Sequence, residues 1–290
     1  MRLRSLLFVP ADSERKFAKA QTSGADGLIL DLEDAVAPAR KPVARGMVQE
    51  MLAADGPRPW RFWVRVNALD TGLTLEDLSA VVLPGLDGIM VPKANGAADI
   101  ARIGHYLDAL ETRSGMARGT VKIIVVATET PVAMFNLGSY APAHERLAGL
   151  TWGAEDLGAV VGSSTNKQPD GDWTQPYRVA RTMCLFAAAA AEVARIDTLY
   201  ADFRNPAGLE ADCRLSQRDG FTGRVAIHPD QVETINRCFS PSADDVAQAR
   251  RIAAAFDADP GIGTVGIDGK MYDIPHLKLA RSILAAAGEE

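Results

Sequence analysis

The sequence predicts a (β/α)₈ barrel with a C-terminal helical extension. Three observations predict it. Eight short apolar runs recur along the 290-residue chain. Segments of helical character lie between them, and strand alternating with helix is the pattern of a parallel α/β fold. Residues 241–290 then exceed what eight such units require.

The runs are SLLFVP, GLILDLED, RFWVRVN, GIMVPKA, KIIVVATE, GLTWGAED, TLYADFR and GRVAIHP. Most are β-rich and continuous rather than alternating, which suits strands buried on both faces. The first helix is expected over residues 13–23, with Ser13 as a candidate N-cap. Pro42 suits the first turn of the next. Residues 97–113 place Ile100, Ile103, Tyr106, Leu107 and Leu110 at helical spacing. Residues 166–173, NKQPDGDW, are polar and rich in turn formers, so they read as a surface loop after the sixth strand that could act as a lid. A long Ala-rich helix is expected over 176–195. After Ser240 the pattern changes to a helix over 244–257, a Gly- and Pro-rich stretch over 259–275, and a last helix over 276–287. This divides the chain into a barrel, residues 1–240, and an extension, 241–290. The extension is expected to fold over a site, either its own or a neighbour's.

Composition narrows the function classes. Apolar residues make up 47% and charged residues 23%, ordinary for a globular protein. The formal net charge of −6 carries no dominant basic patch, which argues against nucleic acid. Cys184, Cys213 and Cys238 lack metal-ligand spacing and are odd in number, so a reducing, cytoplasmic setting is expected. The apolar stretch before Asp12 is too short for a signal-peptide core, and no run is long enough to span a bilayer.

Charged residues stand where the apolar runs end: Arg65 in RFWVRVN, Glu129 in VVATET, Glu155 and Asp156 in WGAED. In a barrel of this kind that edge carries the chemistry. Glu129 and Asp156, from neighbouring strand ends, could bind one Mg²⁺, leaving positions for a 2-oxo or 2-hydroxy acid. Taken singly, either acid reads as an N-cap or an ion-pair partner rather than as a ligand. Arg65 would be costly to bury unpaired, and its planar fork suits a carboxylate or a developing oxyanion. Its bland reading is a bridge to a nearby acid. Asp31 and Glu33 share a face by period-two alternation, and one of them is expected to point into the barrel and pair with Arg65 or with waters behind the ligands. Glu33, Asp34 and Lys93 are expected to support the ligands from behind. Lys93 could instead hold a substrate carboxylate, pair with Asp31 or Glu33, or form a Schiff base. His228, before a proline, reads as structural. Asp273 lies in a Gly-rich tail with no evident packing task. Carried over a barrel mouth, its pKa would rise and suit proton transfer.

The segments RSLLFVPADSERKFAKA, DGLILDLEDAV, VRVN, GIMVPKA, ATET, GAEDLG, IDTLYADFRNPAGL, GRVAIHPDQ and GKMYDIPHLKLA follow in order along nearly the whole chain. Together they resemble the citrate lyase beta-subunit family. This family belongs to the broader HpcH/HpaI aldolase/citrate lyase group, with malyl-CoA and citramalyl-CoA lyases. The resemblance implies a TIM barrel, Mg²⁺, a homotrimer or hexamer, and cleavage of a 3-hydroxy-3-carboxyacyl thioester into an acyl-CoA and a 2-oxo acid. It implies Glu129 and Asp156 as metal ligands, with Glu129 and Arg65 also meeting substrate. Arg65 would stabilise the thioester enolate. Asp273 would be the acid/base, supplied from an adjacent subunit's extension. Arg15 and Lys19 lie where the anionic CoA or an acyl-carrier protein would be met. The chain departs from the pattern at Pro131, Met134, Asn205 and Ala11, which bears on substrate identity. Two other readings stand beside it: a metal-dependent aldolase or hydrolase on free 2-oxo acids, and a beta subunit of a citrate lyase complex.

Overall fold

The computed structural model describes residues 2–54 and 56–289. Eight strands form the barrel wall: β1 (Ser5–Pro10), β2 (Gly27–Asp31), β3 (Arg61–Arg65), β4 (Gly88–Val91), β5 (Lys122–Val126), β6 (Leu147–Thr151), β7 (Ala194–Asp197) and β8 (Gly223–Ala226). They pair in sequence order, and β8 closes on β1, all in parallel. This is the predicted (β/α)₈ barrel. β2, β4 and β8 are buried along their whole length, as continuous apolar runs require.

The interior is filled by Leu6, Ile29, Trp63, Met90, Ile124, Val126, Ile196 and Val225. Trp63 sets the local glycines. A Cβ on Gly88 would fall 2.1 Å from the Trp63 ring, and one on Gly27 would meet it at 3.1 Å. One indole thus takes volume from both flanking strands, and only glycine fits beside it.

Among the described residues up to 219, eight α-helices accompany the barrel: α1 (Glu14–Gln21), α2 (Lys41–Ala53), α3 (Thr74–Val81), α4 (Ala97–Arg113), α5 (Pro131–Asn136), α6 (Glu155–Val161), α7 (Gln175–Ala190) and α8 (Pro206–Asp219). Ser13 caps α1 by accepting from the Lys16 N–H, and Pro42 stands in the first turn of α2, both as expected. The chain then continues through α9 (Val232–Cys238), α10 (Ala243–Asp257), β9 (Thr264–Ile267), β10 (Lys270–Asp273) and α11 (Ile274–Ala287).

Three expectations need correction. TLYADFR is not the seventh strand; β7 is ARID, just ahead of it. That strand is short and half polar, with Ile196 inside the barrel and Asp197 at its end, so hydropathy alone passes over it. For the same reason the Ala-rich helix stops at Ala190, because a turn with Glu192 at φ 55° must precede β7. The polar loop 166–173 follows the short helix α6 rather than the strand, and it is pinned by a bridge between Lys167 and Trp173.

The described residues divide into two compact units, Leu3–Asn236 and Arg237–Glu290. In the second, α10 and α11 bury Ala249, Ile252, Ala253, Phe256, Leu277 and Ala280 against each other. The Gly-rich stretch there is an antiparallel hairpin, β9 with β10. Its turn is Asp268–Gly269, both at positive φ, the geometry that two-residue hairpins favour.

Candidate active site

Arg65, Glu33, Lys93 and Glu129 sit at or just beyond the carboxyl ends of their strands. Arg65 ends β3 and Asp31 ends β2. Arg65 meets Asp31 through two bonds, Nε to Oδ1 at 2.8 Å and Nη2 to Oδ2 at 2.6 Å. Its Nη1 lies 3.0 Å from Glu33 Oε2. The guanidinium also packs over the Phe8 ring, 4.8 Å from its centre. Both acids therefore pair with Arg65, rather than one. Burial disfavours the charged guanidinium, but Asp31 and then Glu33 outweigh it, so its pKa is raised and the cation is fixed.

Lys93 follows β4 with φ at 52°, a left-handed conformation rare outside glycine. That turn aims its N–H at Glu129 Oε2, 2.6 Å away. Its ammonium bonds to Glu33 Oε1, and lies 3.3 Å from Asp156 Oδ1 and 3.7 Å from Asp34 Oδ2. Of the partners expected for Lys93, Glu33 is found and Asp31 is not. Burial opposes the ammonium, yet Glu33, Glu129 and Asp156 hold its pKa above the usual value. A lysine so fixed as a cation is a poor Schiff-base nucleophile.

Glu129 follows β5 and is 4% exposed. Burial, then the nearby charges of Asp156 and Glu33, push its pKa up to about 8 against the Lys93 N–H. Asp156 stands in the first turn of α6, half-buried, and not on the strand itself. Gly153 makes the room between them. A Cβ there would fall 2.9 Å from Glu129 Cγ and 3.1 Å from its Oε1.

These residues fit a hard divalent cation. The donors are oxygens, two carboxylates stand close enough to repel, and the Glu129 side chain occupies a notch that any larger residue at 153 would fill. A cation between them would remove the repulsion that raises Glu129. Among the described residues, no group of three or more His, Cys, Asp or Glu side chains forms a complete metal cage. Two carboxylates with the remaining positions open are the usual arrangement for Mg²⁺.

The sequence reading missed the frame beneath the site. Buried Lys41 donates to the carbonyls of Leu32 (2.8 Å) and Glu33 (2.9 Å) and to Asn67 Oδ1 (2.6 Å). Asn67 in turn bonds to Asp77. Asp31 accepts from the Glu33 and Ala35 N–H groups. These bonds fix the LEDA turn that presents Glu33. A lysine just past an acidic strand end was the available signal. His228 is structural as expected: it caps the turn at Pro229 and stacks on Phe203 at 4.6 Å. Arg15 and Lys19 are exposed on α1. A cavity of about 690 Å³ between α7 and α8 contains none of these residues.

Asp273 requires a correction. It has a packing task, as the N-cap of α11, with a side-chain bond to His276. In the single chain that bond lowers its pKa.

Comparison with known proteins decides what this geometry belongs to. Residues 4–229 match HpcH/HpaI aldolase/citrate lyase, and residues 171–288 match the C–C bond lyases of the TIM-barrel fold. The chain belongs to the HpcH/HpaI aldolase/citrate lyase family. It is a carbon–carbon lyase by that membership. The family's citrate lyase subunit beta from Haemophilus influenzae is 35% identical over 98% of this chain and 96% of that protein. A (3S)-malyl-CoA thioesterase of Cereibacter sphaeroides is 36% identical over 98% and 94%. The crystal structure of the CitE protein of Mycobacterium tuberculosis, in complex with magnesium, acetoacetate and coenzyme A, superposes with a TM-score of 0.77 at 33% identity, covering 99% and 98% of the two chains.

Proposed function

We propose that this enzyme cleaves, and in reverse forms, the carbon–carbon bond of a 3-hydroxyacyl thioester that carries a carboxylate on the hydroxyl carbon. The products are an acyl-CoA and a 2-oxo acid. The observation that carries this reading is the Glu129–Asp156 pair beside an Arg65 cation that is held in place by Asp31. Relatives whose names and structures involve malyl-CoA, coenzyme A, acetoacetate and magnesium support it.

Glu129 and Asp156 would hold Mg²⁺. Bound there, the ion supplies Lewis acidity to the substrate's carboxylate and hydroxyl oxygens. Arg65 stabilises negative charge on the thioester oxygen as the enolate forms, and it needs no reorganisation because Asp31 already fixes its plane. Lys93 neutralises Glu33 and holds the Glu129 carboxylate through its backbone N–H. As the bond breaks the substrate hydroxyl releases its proton to solvent, and Asp273, supplied by a neighbouring copy's extension, gives a proton to the enolate carbon; in condensation both transfers run in reverse. Arg15 and Lys19 meet the phosphates of CoA or of an acyl-carrier protein. The three buried cysteines fit a cytoplasmic setting. Among the described residues no helix is long and apolar enough to cross a membrane.

The test is Mg²⁺-dependent release of 2-oxo acid from malyl-CoA, citramalyl-CoA and citryl-CoA, with free citrate and malate as controls. Turnover of one thioester, lost with EDTA, is the expected result. Turnover of free acids alone would favour a CoA-independent aldolase. Activity only after adding an acyl-carrier protein would favour a citrate lyase beta subunit. The thioesterase relative supports a second reading, in which water cleaves the thioester. Free CoA released without 2-oxo acid would identify it.

Gly153→Ala is expected to weaken Mg²⁺ binding about ten-fold, because the new Cβ displaces Glu129. Calorimetric titration with Mg²⁺ checks this, and unchanged affinity would remove Glu129 from the metal site. We also propose a homotrimer or hexamer. Val179, Met183 and Phe186 form an exposed apolar stripe on α7, with Phe186 61% exposed. Phe186→Glu is expected to shift the mass measured by light scattering toward the monomer. An unchanged mass would place the interface elsewhere.

A further inference from the structure

Asp273 does not stand alone on the C-terminal unit. His276 Nδ1 lies 2.5 Å from Asp273 Oδ1. At that distance a ring nitrogen and a carboxylate oxygen must share a proton, since two lone pairs would repel. The His276 backbone N–H, at 3.4 Å, reaches the same Oδ1. Both His276 contacts therefore fall on one oxygen, Oδ1, and neither reaches Oδ2. The ring is itself braced. Tyr272 packs edge-on against it at 5.4 Å, and the Tyr272 hydroxyl accepts from Gln248 Nε2 of α10 at 3.0 Å.

We propose that His276 is a positioning residue for proton transfer: it pins Oδ1 of Asp273 and leaves Oδ2 as the atom that exchanges a proton with the substrate carbon. In condensation, Oδ2 takes the proton from the carbon next to the thioester, and the bonding electrons stay on the enolate. In cleavage, the same proton returns from Oδ2 to that carbon. His276 keeps its ring proton on Nδ1 throughout and orients the carboxylate. Its hydrogen bond lowers the Asp273 pKa, which keeps the acid ionised for the abstracting direction.

The alternative is that His276 Nδ1 carries a lone pair and accepts the Asp273 backbone N–H at 3.3 Å, so that it only completes a capping box at the start of α11; one ring nitrogen cannot both accept that N–H and hold the proton shared with Oδ1. Glutamine at the same position also completes such a box. His276→Gln therefore separates the two roles. The proposal rests on Asp273 being the acid/base, so Asp273→Asn is measured alongside it. The full-length enzyme is assayed with Mg²⁺ on the three thioesters, with kcat, KM and melting temperature recorded for wild type, Asp273→Asn, His276→Gln and His276→Ala.

The expected result is that Asp273→Asn is nearly inactive. His276→Gln should keep its melting temperature and KM while kcat falls roughly ten-fold, a fraction of the ~10²–10⁴ that positioned proton transfer contributes. His276→Ala should lose both activity and stability. An inactive Asp273→Asn beside a fully active His276→Gln would overturn the role of His276 alone. A loss in His276→Gln confined to KM or to melting temperature would do the same. A fully active Asp273→Asn, or a wild type that cleaves none of the thioesters, would overturn the reading on which the proposal rests.

Discussion

Replacing Arg65 by lysine is expected to lower kcat by about 10²–10³ while leaving the barrel folded. The charge survives this change but the geometry does not. Arg65 uses Nε and Nη2 for the two oxygens of Asp31 and brings Nη1 to Glu33. A lysine ammonium is a compact point charge on a flexible stem, and it cannot span both acids in one plane. It would be drawn to Asp31 or to Glu33. The cation would then no longer be fixed beside the oxygen on which charge develops. Asp31 would still accept from the Glu33 and Ala35 N–H groups, so the strand end keeps its shape. The loss should appear in kcat and kcat/KM together, the signature of an interaction made in the transition state. Steady-state kinetics on the productive thioester, with circular dichroism as the folding control, measures it. A kcat within about three-fold of wild type would remove Arg65 from oxyanion stabilisation.

Much of the barrel was legible because its strands are buried on both faces. GLILD and GIMV carry that burial as continuous apolar runs, and the site residues follow directly on those runs. What hydropathy could not show was β7. Its Arg195 and Asp197 break the run, and Asp197 is buried only because distant residues pay its desolvation in charge. The hairpin turn at Asp268–Gly269 is present in the sequence as a dipeptide, but the many glycines around it carry the same signal. Within the site, the sequence placed Arg65, Glu33, Lys93, Glu129 and Asp156 at one edge of one sheet. It could not show that Arg65 binds two acids at once, or that Lys93 adopts positive φ to reach Glu129. Those facts depend on spacing between strands. Asp273 shows the reverse case: its N-cap role was readable three residues ahead of His276, yet its chemistry drew attention away from its local structure.

The largest stability effect is expected at Asp197, a residue with no assigned part in the chemistry. It is fully buried and accepts from Trp152 Nε1 at 2.5 Å, Ser216 Oγ at 2.6 Å, Arg181 Nη2 at 3.0 Å and Arg224 Nη2 at 3.1 Å. Arg224 is 1% exposed, and Asp212 is its other acidic partner. Asp197→Asn removes the charge but keeps the shape, so Arg224 loses half its compensation in a place water does not reach. Breaking one side of a buried pair costs about 3–5 kcal/mol, far more than an exposed bridge is worth. Urea unfolding should show this as a lower midpoint at unchanged slope. Burial alone would raise the Asp197 pKa, but Arg224 and then Arg181 depress it from 3.8 to about 2. A depressed carboxylate adds stability that is fully present above its unfolded value. The wild type should therefore lose this contribution as pH falls from about 4 through about 2, and Asp197→Asn should show a flatter acid limb. Replacing both Asp197 and Arg224 by apolar residues of similar volume is expected to recover part of the loss, since no charge is then stranded. A midpoint for Asp197→Asn equal to wild type would mean that water or backbone already satisfies Arg224. The site would feel the change as well. Trp152 is anchored by Asp197 and is followed at once by Gly153, the residue that makes room for Glu129. A loosened Asp197 network should thus weaken Mg²⁺ binding in addition to lowering the unfolding midpoint.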